Sequence, residues 1–266
     1  MNNYVKDGEE VEKKVIKTGE ISRRLYEHLS NMGDRLEIED VRIGLGYAGV
    51  KLEGKRLGLA AVLRHELAPG CSTLDEAGTL KGLNALRLLK YLVDGRNPLE
   101  KALGLAAANA IINPEPSEKE NDTIGLMDLG PQDNVAMVGY FGPLVERIKE
   151  TGANLSVIER DPARVKIIDD KTKNKILGNC TVAVITATSI LNNTTEKILN
   201  KLGTPRHVVI LGPSTPMCGD VFQGTPVTHL GGSAILDIRK VMQIISEGGG
   251  TPAMRPCLRF INILLR

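Results

Sequence analysis

Aromatic side chains are scarce in this chain: 3% of its 266 residues, with no Trp. The core must therefore be built from Leu, Ile, Val and Ala rather than from rings. Charge of one sign is also lacking. Thirty-four Lys and Arg against 32 Asp and Glu leave a net +2, which gives no electrostatic footprint for nucleic acid or an anionic membrane. No apolar run approaches the ~20 residues that cross a bilayer. The opening MNNYVKDGEEVEKK is too polar for a secretory signal. Cys71, Cys180, Cys218 and Cys257 lie far apart and form no C-x-x-C pair. Reduced thiols, and a cytoplasmic location, are the expectation. Three catalytic signatures are missing too. There is no G-x-S-x-G elbow and no P-loop, and His65-Glu66 lacks the second His of H-E-x-x-H.

What is present is the composition of a soluble globular protein, 42% hydrophobic and 25% charged. Val11, Val15, Ile21, Leu25 and Leu29 recur at helical spacing and predict a helix over about Glu9 to Met32, stopped by Gly33. Period-2 alternation then predicts a hairpin, Ile38 to Leu52 against Lys55 to Arg64, turning at Glu53-Gly54. The run LKGLNALRLLKYLVDG reads as one apolar helix. A second begins at Asn97-Pro98, where Asn caps and Pro fits the first turn. Its Ala- and Gly-rich stretch LGLAAANAII suggests a face packed close to another element. The Pro- and charge-rich NPEPSEKENDT reads as a hinge.

Beyond it, strand-like runs at 135–139, 155–159, 181–187, 207–212 and 226–230 alternate with helices, the last of these about Ser233 to Ser246. Such alternation predicts a parallel sheet covered on both faces. The apolar tail after it should pack. The fold class read from the sequence is therefore α/β. An N-terminal α+β domain spans 1–113, a linker 114–122, and a doubly wound parallel-sheet domain 123–266.

In open α/β sheets ligands sit beyond the carboxyl ends of the strands, where the strand order reverses. The residues there are the candidates. After the first strand come Gly139, Tyr140, Phe141 and Gly142, with Pro143 in the first turn of a helix whose free N–H groups face a ligand. The bulky Tyr140-Phe141 pair disfavours a dinucleotide's pyrophosphate, although the unit otherwise resembles a βαβ nucleotide fold. Glu159 stands 20 residues beyond Gly139; it either reaches a ribose hydroxyl or caps its own turn. Thr186 and Thr188 are ligand hydroxyls or ordinary strand-end residues. The loop LGPSTPMCGD offers Gly212, Pro213, Ser214, Thr215 and Met217 in a Pro-bounded, rigid setting suited to a polar ligand. For a metal, the candidates are Cys218 and His229.

Four stretches together, GLGYAGV at 44–50, LGLAAANAII at 103–112, VGYFGPL at 138–144 and ILGPSTPM at 210–217, resemble the family described as putative heavy-metal chelation. The resemblance covers most of the chain. It implies a first domain similar to the N-terminal domain of enolases, a Rossmann-like second domain and a pocket between them. The matching positions place Gly139, Tyr140, Phe141, Gly142, Pro213, Ser214, Thr215 and Met217 at that pocket. Asn109 is the partner from the first domain or else a helix-packing amide. An enolase-like first domain carries no enolase chemistry, because the barrel that performs it is absent. The functional expectation is a protein that binds a small molecule or metal complex in the interdomain cleft, in metal or cofactor metabolism, with a transition metal as the cofactor. The alternative is a nucleotide- or S-adenosylmethionine-dependent enzyme. The expected partners are that ligand and a second copy of the chain.

Overall fold

The computed structural model describes residues 15–116 and 123–265. The first part of the chain contains α1 (Glu20–Gly33), the strands β1 (Ile38–Ile43), β2 (Tyr47–Leu52) and β3 (Arg56–Ala61), two single helical turns α2 (Leu86–Leu89) and α3 (Tyr91–Asp94), and α4 (Pro98–Ile112). In α1 the residues Ile21, Leu25 and Leu29 line one buried face. The Glu9–Lys14 portion of the expected first helix lies outside the described residues. No side chain of its own caps α1. Instead Glu196, buried and 175 positions away in sequence, accepts the Ile21 N–H at 3.0 Å.

The expected hairpin is a three-stranded antiparallel meander, β1-β2-β3. Gly44 and Gly46 split the long first strand in two. A Cβ at Gly44 would stand 2.1 Å from the Ile245 carbonyl oxygen, so the chain turns there against a helix from the second part. The expected single helix before Gly95 is likewise divided, into α2 and α3. The Asn97 cap holds as expected, accepting from the Leu99 and Glu100 N–H groups with Pro98 at the first position. The Ala-rich face of α4 does pack closely. Gly58 of β3 lies against its backbone, where a Cβ would fall 2.0 Å from the Ala106 carbonyl oxygen.

The second part contains α5 (Thr123–Met127), β4 (Asn134–Val138), α6 (Gly142–Glu150), β5 (Asn154–Ile158), α7 (Asp170–Asn179), β6 (Val182–Thr186), α8 (Thr188–Leu191), α9 (Thr195–Lys201), β7 (His207–Leu211), β8 (His229–Ile235), α10 (Ile238–Ser246), α11 (Thr251–Met254) and β9 (Leu258–Leu264). The six strands stand in the order β5-β4-β6-β7-β8-β9. All neighbours are parallel except β9, which runs antiparallel to β8. The apolar tail thus packs, as a strand. Ser233 and Ile235 pair with it, which is why the last long helix starts at Ile238 and not at Ser233.

Both sheet faces are covered, and the strand sequences show how. Along β6, Val182 and Val184 face one cluster with Ile124, Val145 and Ile148 of α5 and α6. Ala183 and Ile185 face the other, which holds Leu177, Ile190 and Leu199. Two-sided burial is what continuous apolar strands require. The second cluster does not stop at the sheet. It continues through Leu103 and Ala107 of α4 to Leu25 of α1, so one core serves both parts of the chain. A third cluster joins Leu57 and Leu59 of β3 to Val241, Met242 and Ile245 of α10.

Two predictions test this packing. Gly58→Ala should cost more than about 3 kcal/mol in urea denaturation, since α4 backbone cannot yield. The exposed helical Gly178, with nothing within 4 Å of a new Cβ, should on Gly178→Ala be neutral or gain up to about 1 kcal/mol. A third prediction concerns buried Asp133, which pairs with Arg206 at 2.8 Å. The Arg206 guanidinium, helped by the Thr181 hydroxyl and the Gly130 N–H, holds its carboxyl down at about 2. That stabilisation is present above the unfolded-chain value and is lost as pH falls from ~4 through ~2. Asp133→Asn should remove about 2 kcal/mol at neutral pH and flatten that acid limb, read by denaturation at stepped pH.

Candidate functional site

The chain leaves β4 to one side for β5 and then returns to β6 on the other side. The reversal therefore lies at the carboxyl ends of β4 and β6. Gly139 closes β4 with φ at 90°, and its N–H bonds the Ile158 carbonyl. A Cβ there would lie 2.8 Å from Thr186 Cγ2, so the glycine serves both the turn and the close approach of the two strand ends. Phe141 directly precedes α6, and its ring edge lies 3.8 Å from where a Gly212 Cβ would be. Gly142 and Pro143 are the first residues of α6. Gly139, Phe141, Thr186 and Gly212 thus converge at one edge, with the Thr186 and Thr188 hydroxyls 3.0 Å apart. Tyr140 is exposed beside them.

Glu159 is used locally. Its carboxylate accepts the N–H groups of Tyr140 at 2.9 Å, Arg160 at 2.7 Å and Asp161 at 3.1 Å. It ties the end of β5 to the turn after β4, which is the capping alternative. Arg160 reaches across to Glu66 at 2.6 Å. No pattern in the sequence pointed to that contact, because 94 positions separate the two residues.

The GPSTP loop is the seam between the two parts of the chain. Gly212, with φ at 122°, bonds the Gly231 carbonyl through its N–H. Thr215 donates its hydroxyl to the same carbonyl at 2.9 Å. The Ser214 hydroxyl accepts the Ala61 N–H of β3 at 2.9 Å. Both hydroxyls are buried and internally bonded. Asn109 of α4 completes the join: its Nδ2 donates to the Leu59 carbonyl at 2.8 Å and to the Ser214 carbonyl at 3.1 Å. The two Asn109 alternatives are therefore combined, since the amide packs its helix and also reaches the loop.

With both Nδ2 hydrogens engaged, the Asn109 oxygen points away from them, and it is buried without a partner. Asn109 is also in the wall of a narrow slot, with Leu59, Pro213, Thr215, Met217 and Ser233. Its ≈ 20 Å³ for water-sized occupants is about the room one water needs. Gly139 to Gly142 are not among its walls; they form the neighbouring edge. Leu59 and Ser233 were not foreseen, because one is an ordinary core Leu and the other was assigned to a helix.

Cys218 and His229 have different surroundings. Burial pushes the Cys218 thiol up, away from the thiolate that binds metal. His229 opens β8, at the amino edge of the sheet, because the strand spans 229–235 and not the expected 226–230. Its Nδ1 lies 2.6 Å from the Thr228 hydroxyl. Among the described residues no three His, Cys, Asp or Glu side chains are grouped to hold a metal ion. No described helix is long and apolar enough to cross a membrane.

Comparison with known proteins supplies the remaining information. Residues 26–112 match the DUF4213 family model and residues 122–263 the DUF364 model, both described as "putative heavy-metal chelation". An uncharacterised protein of Methanocaldococcus jannaschii is 25% identical over 236 residues, 84% of this chain and 88% of that one. The crystal structure of a DUF364-family protein of unknown function from Pyrococcus horikoshii superposes with a TM-score of 0.79 at 24% identity, over 92% of this chain and 99% of that chain. A second, from Desulfitobacterium hafniense, gives 0.78 at 20% identity over 93% and 98%. These structures share the mixed α/β fold, a small antiparallel sheet joined to a six-stranded, mostly parallel one. The chain belongs to the DUF364 family, whose description is "putative heavy-metal chelation".

Proposed function

We propose that the chain binds a small polar molecule or a metal complex at the seam between an enolase-N-terminal-like unit, residues 1–113, and a Rossmann-like unit, residues 123–266. The observation that carries this reading is the buried, unpartnered oxygen of Asn109, a residue in the wall of the slot. A buried acceptor without a donor costs about 1–3 kcal/mol, and a ligand bearing an N–H, an O–H or a cation offsets that cost. The Nδ2 bonds to Leu59 and Ser214 hold the amide so that the oxygen can only accept.

Donor chemistry favours a complexed metal over a bare ion. The slot offers the hard Asn109 oxygen and the soft Met217 thioether, a mixed pair that leaves most coordination positions to the metal's own chelate. The slot has room for about one water, so a larger ligand enters from the adjoining edge at Gly139, Phe141 and Gly212 and parts the loop. Nucleotide binding is the less favoured reading, because the Glu159 carboxylate is already engaged by three N–H groups.

Untagged protein should carry a metal or small molecule visible by native mass spectrometry and elemental analysis, or bind Zn²⁺, Ni²⁺ or Cu²⁺ presented with a small chelator in calorimetry. Asn109→Leu should weaken that binding at least tenfold while the thermal transition stays cooperative. A wild-type protein that carries and binds none of these would end the proposal. Binding of S-adenosylmethionine or NAD that Glu159→Ala abolishes would support the nucleotide-dependent enzyme instead. Ser214→Ala should act differently: it strands the Ala61 N–H and costs about 1–2 kcal/mol in denaturation.

A further inference from the structure

At the amino edge of the six-stranded sheet, opposite the proposed seam site, two imidazoles meet. His207 opens β7 and His229 opens β8, with ring centroids 4.9 Å apart and planes at 83°. His229 is buried, and His207 Nδ1 is buried without a hydrogen-bond partner. Between the strands sits Thr228. Its Oγ1 accepts the Val208 N–H at 2.9 Å and has two acceptors within reach of its single proton: the Val208 carbonyl at 3.2 Å and His229 Nδ1 at 2.6 Å.

We propose that this trio is a one-proton switch, with His229 taking the proton and the Thr228 hydroxyl reversing to accommodate it. When His229 is neutral, Thr228 donates to Nδ1. When His229 is protonated, Nδ1–H donates to Thr228 Oγ1, and the hydroxyl proton turns to the Val208 carbonyl. Every hydrogen bond survives the change, and the proton comes from solvent. His207 has no such arrangement, because its buried Nδ1 faces no group able to exchange roles. A second charge 4.9 Å from the first would also be strongly repelled, so the folded pair holds at most one proton.

The neighbouring elements leave this assignment standing. Val182 of β6 pairs with His207 and Leu264 of β9 pairs with His229, both apolar. The charged groups nearby are Arg206, Asp133 and Asp128. Arg206 is itself bound to the Asp133 carboxylate and to the Met127 and Asp128 carbonyls. Burial lowers both imidazoles, with Arg206 adding to the effect on His207. A lowered imidazole contributes stability that is present above the unfolded value of about 6.5 and is lost as pH falls. The switch also bears on the seam, since β8 continues from His229 to Gly231, whose carbonyl holds Gly212 and Thr215.

Nitrogen-15 NMR of the imidazoles in the full chain, titrated from pH 8 to 5, reads the proposal directly. His229 should titrate with a midpoint below about 6.5 while His207 stays neutral. Thr228→Val should lower the His229 midpoint by about one pH unit, the tenfold change expected from losing one hydrogen bond to a charged group, and Thr228→Ser should restore it. Independent titration of both rings, or an unchanged midpoint in Thr228→Val, would overturn the switch. If Thr228→Val does not fold, His207→Phe serves in its place. It keeps a ring against His229 and removes the other imidazole, so the single His229 step should persist with its midpoint close to that of the wild type. Loss of that step, which would assign the proton to His207, would overturn the switch.

Discussion

One amide nitrogen ties the two sheets to each other at the seam. Nδ2 of Asn109 spans a carbonyl of β3 and a carbonyl of the loop after β7. It does so from a helix packed so closely on β3 that only glycine fits at Gly58. The close approach of α4 brings the amide within reach of both carbonyls. The amide fixes Ser214, and the Ser214 hydroxyl then takes the Ala61 N–H. The slot, its loop and the orphan oxygen all follow from that one span.

The shared core gives the seam a different character from a hinge. Apolar side chains run without interruption from α1 through α4 to β6 and β7, and a second apolar joint links β3 to α10. A ligand that entered here, as proposed, would work against packed surface. Selectivity at such a site comes from what compensates the lost packing and satisfies the amide oxygen. Shape alone does less.

Much of the architecture was legible because burial is written into residue period. The strands at 134–138, 154–158, 182–186 and 207–211 lie within a residue of the runs expected from apolar content. The Asn97-Pro98 cap and the close-packed Ala face of α4 were equally plain. The misreadings share a physical cause: each element there was decided by a distant partner. Gly44 turns because Ile245 is behind it, and Ser233 is extended because Phe260 pairs with it. At the candidate site, residue types pointed to these loops but not to the bonds their side chains make. Ser214 and Thr215 looked like free hydroxyls and are in fact internal ties. Beside them an unpartnered acceptor belongs to Asn109, whose surplus oxygen becomes apparent only when its nitrogen is placed.

Glu196 carries a consequence for how the chain reaches this fold. The first helix receives its end cap from a residue 175 positions later, and the backbone at Ile16 is held on both sides by Asn200. During synthesis the earlier half therefore emerges with its opening helix uncapped, although α2, α3 and α4 are already there to cover its apolar face. The helix stays uncapped until α9 has been made. Contacts of such separation close late, because the long intervening loop must first be ordered. The two parts, however separable they look in the order of their elements, mature together.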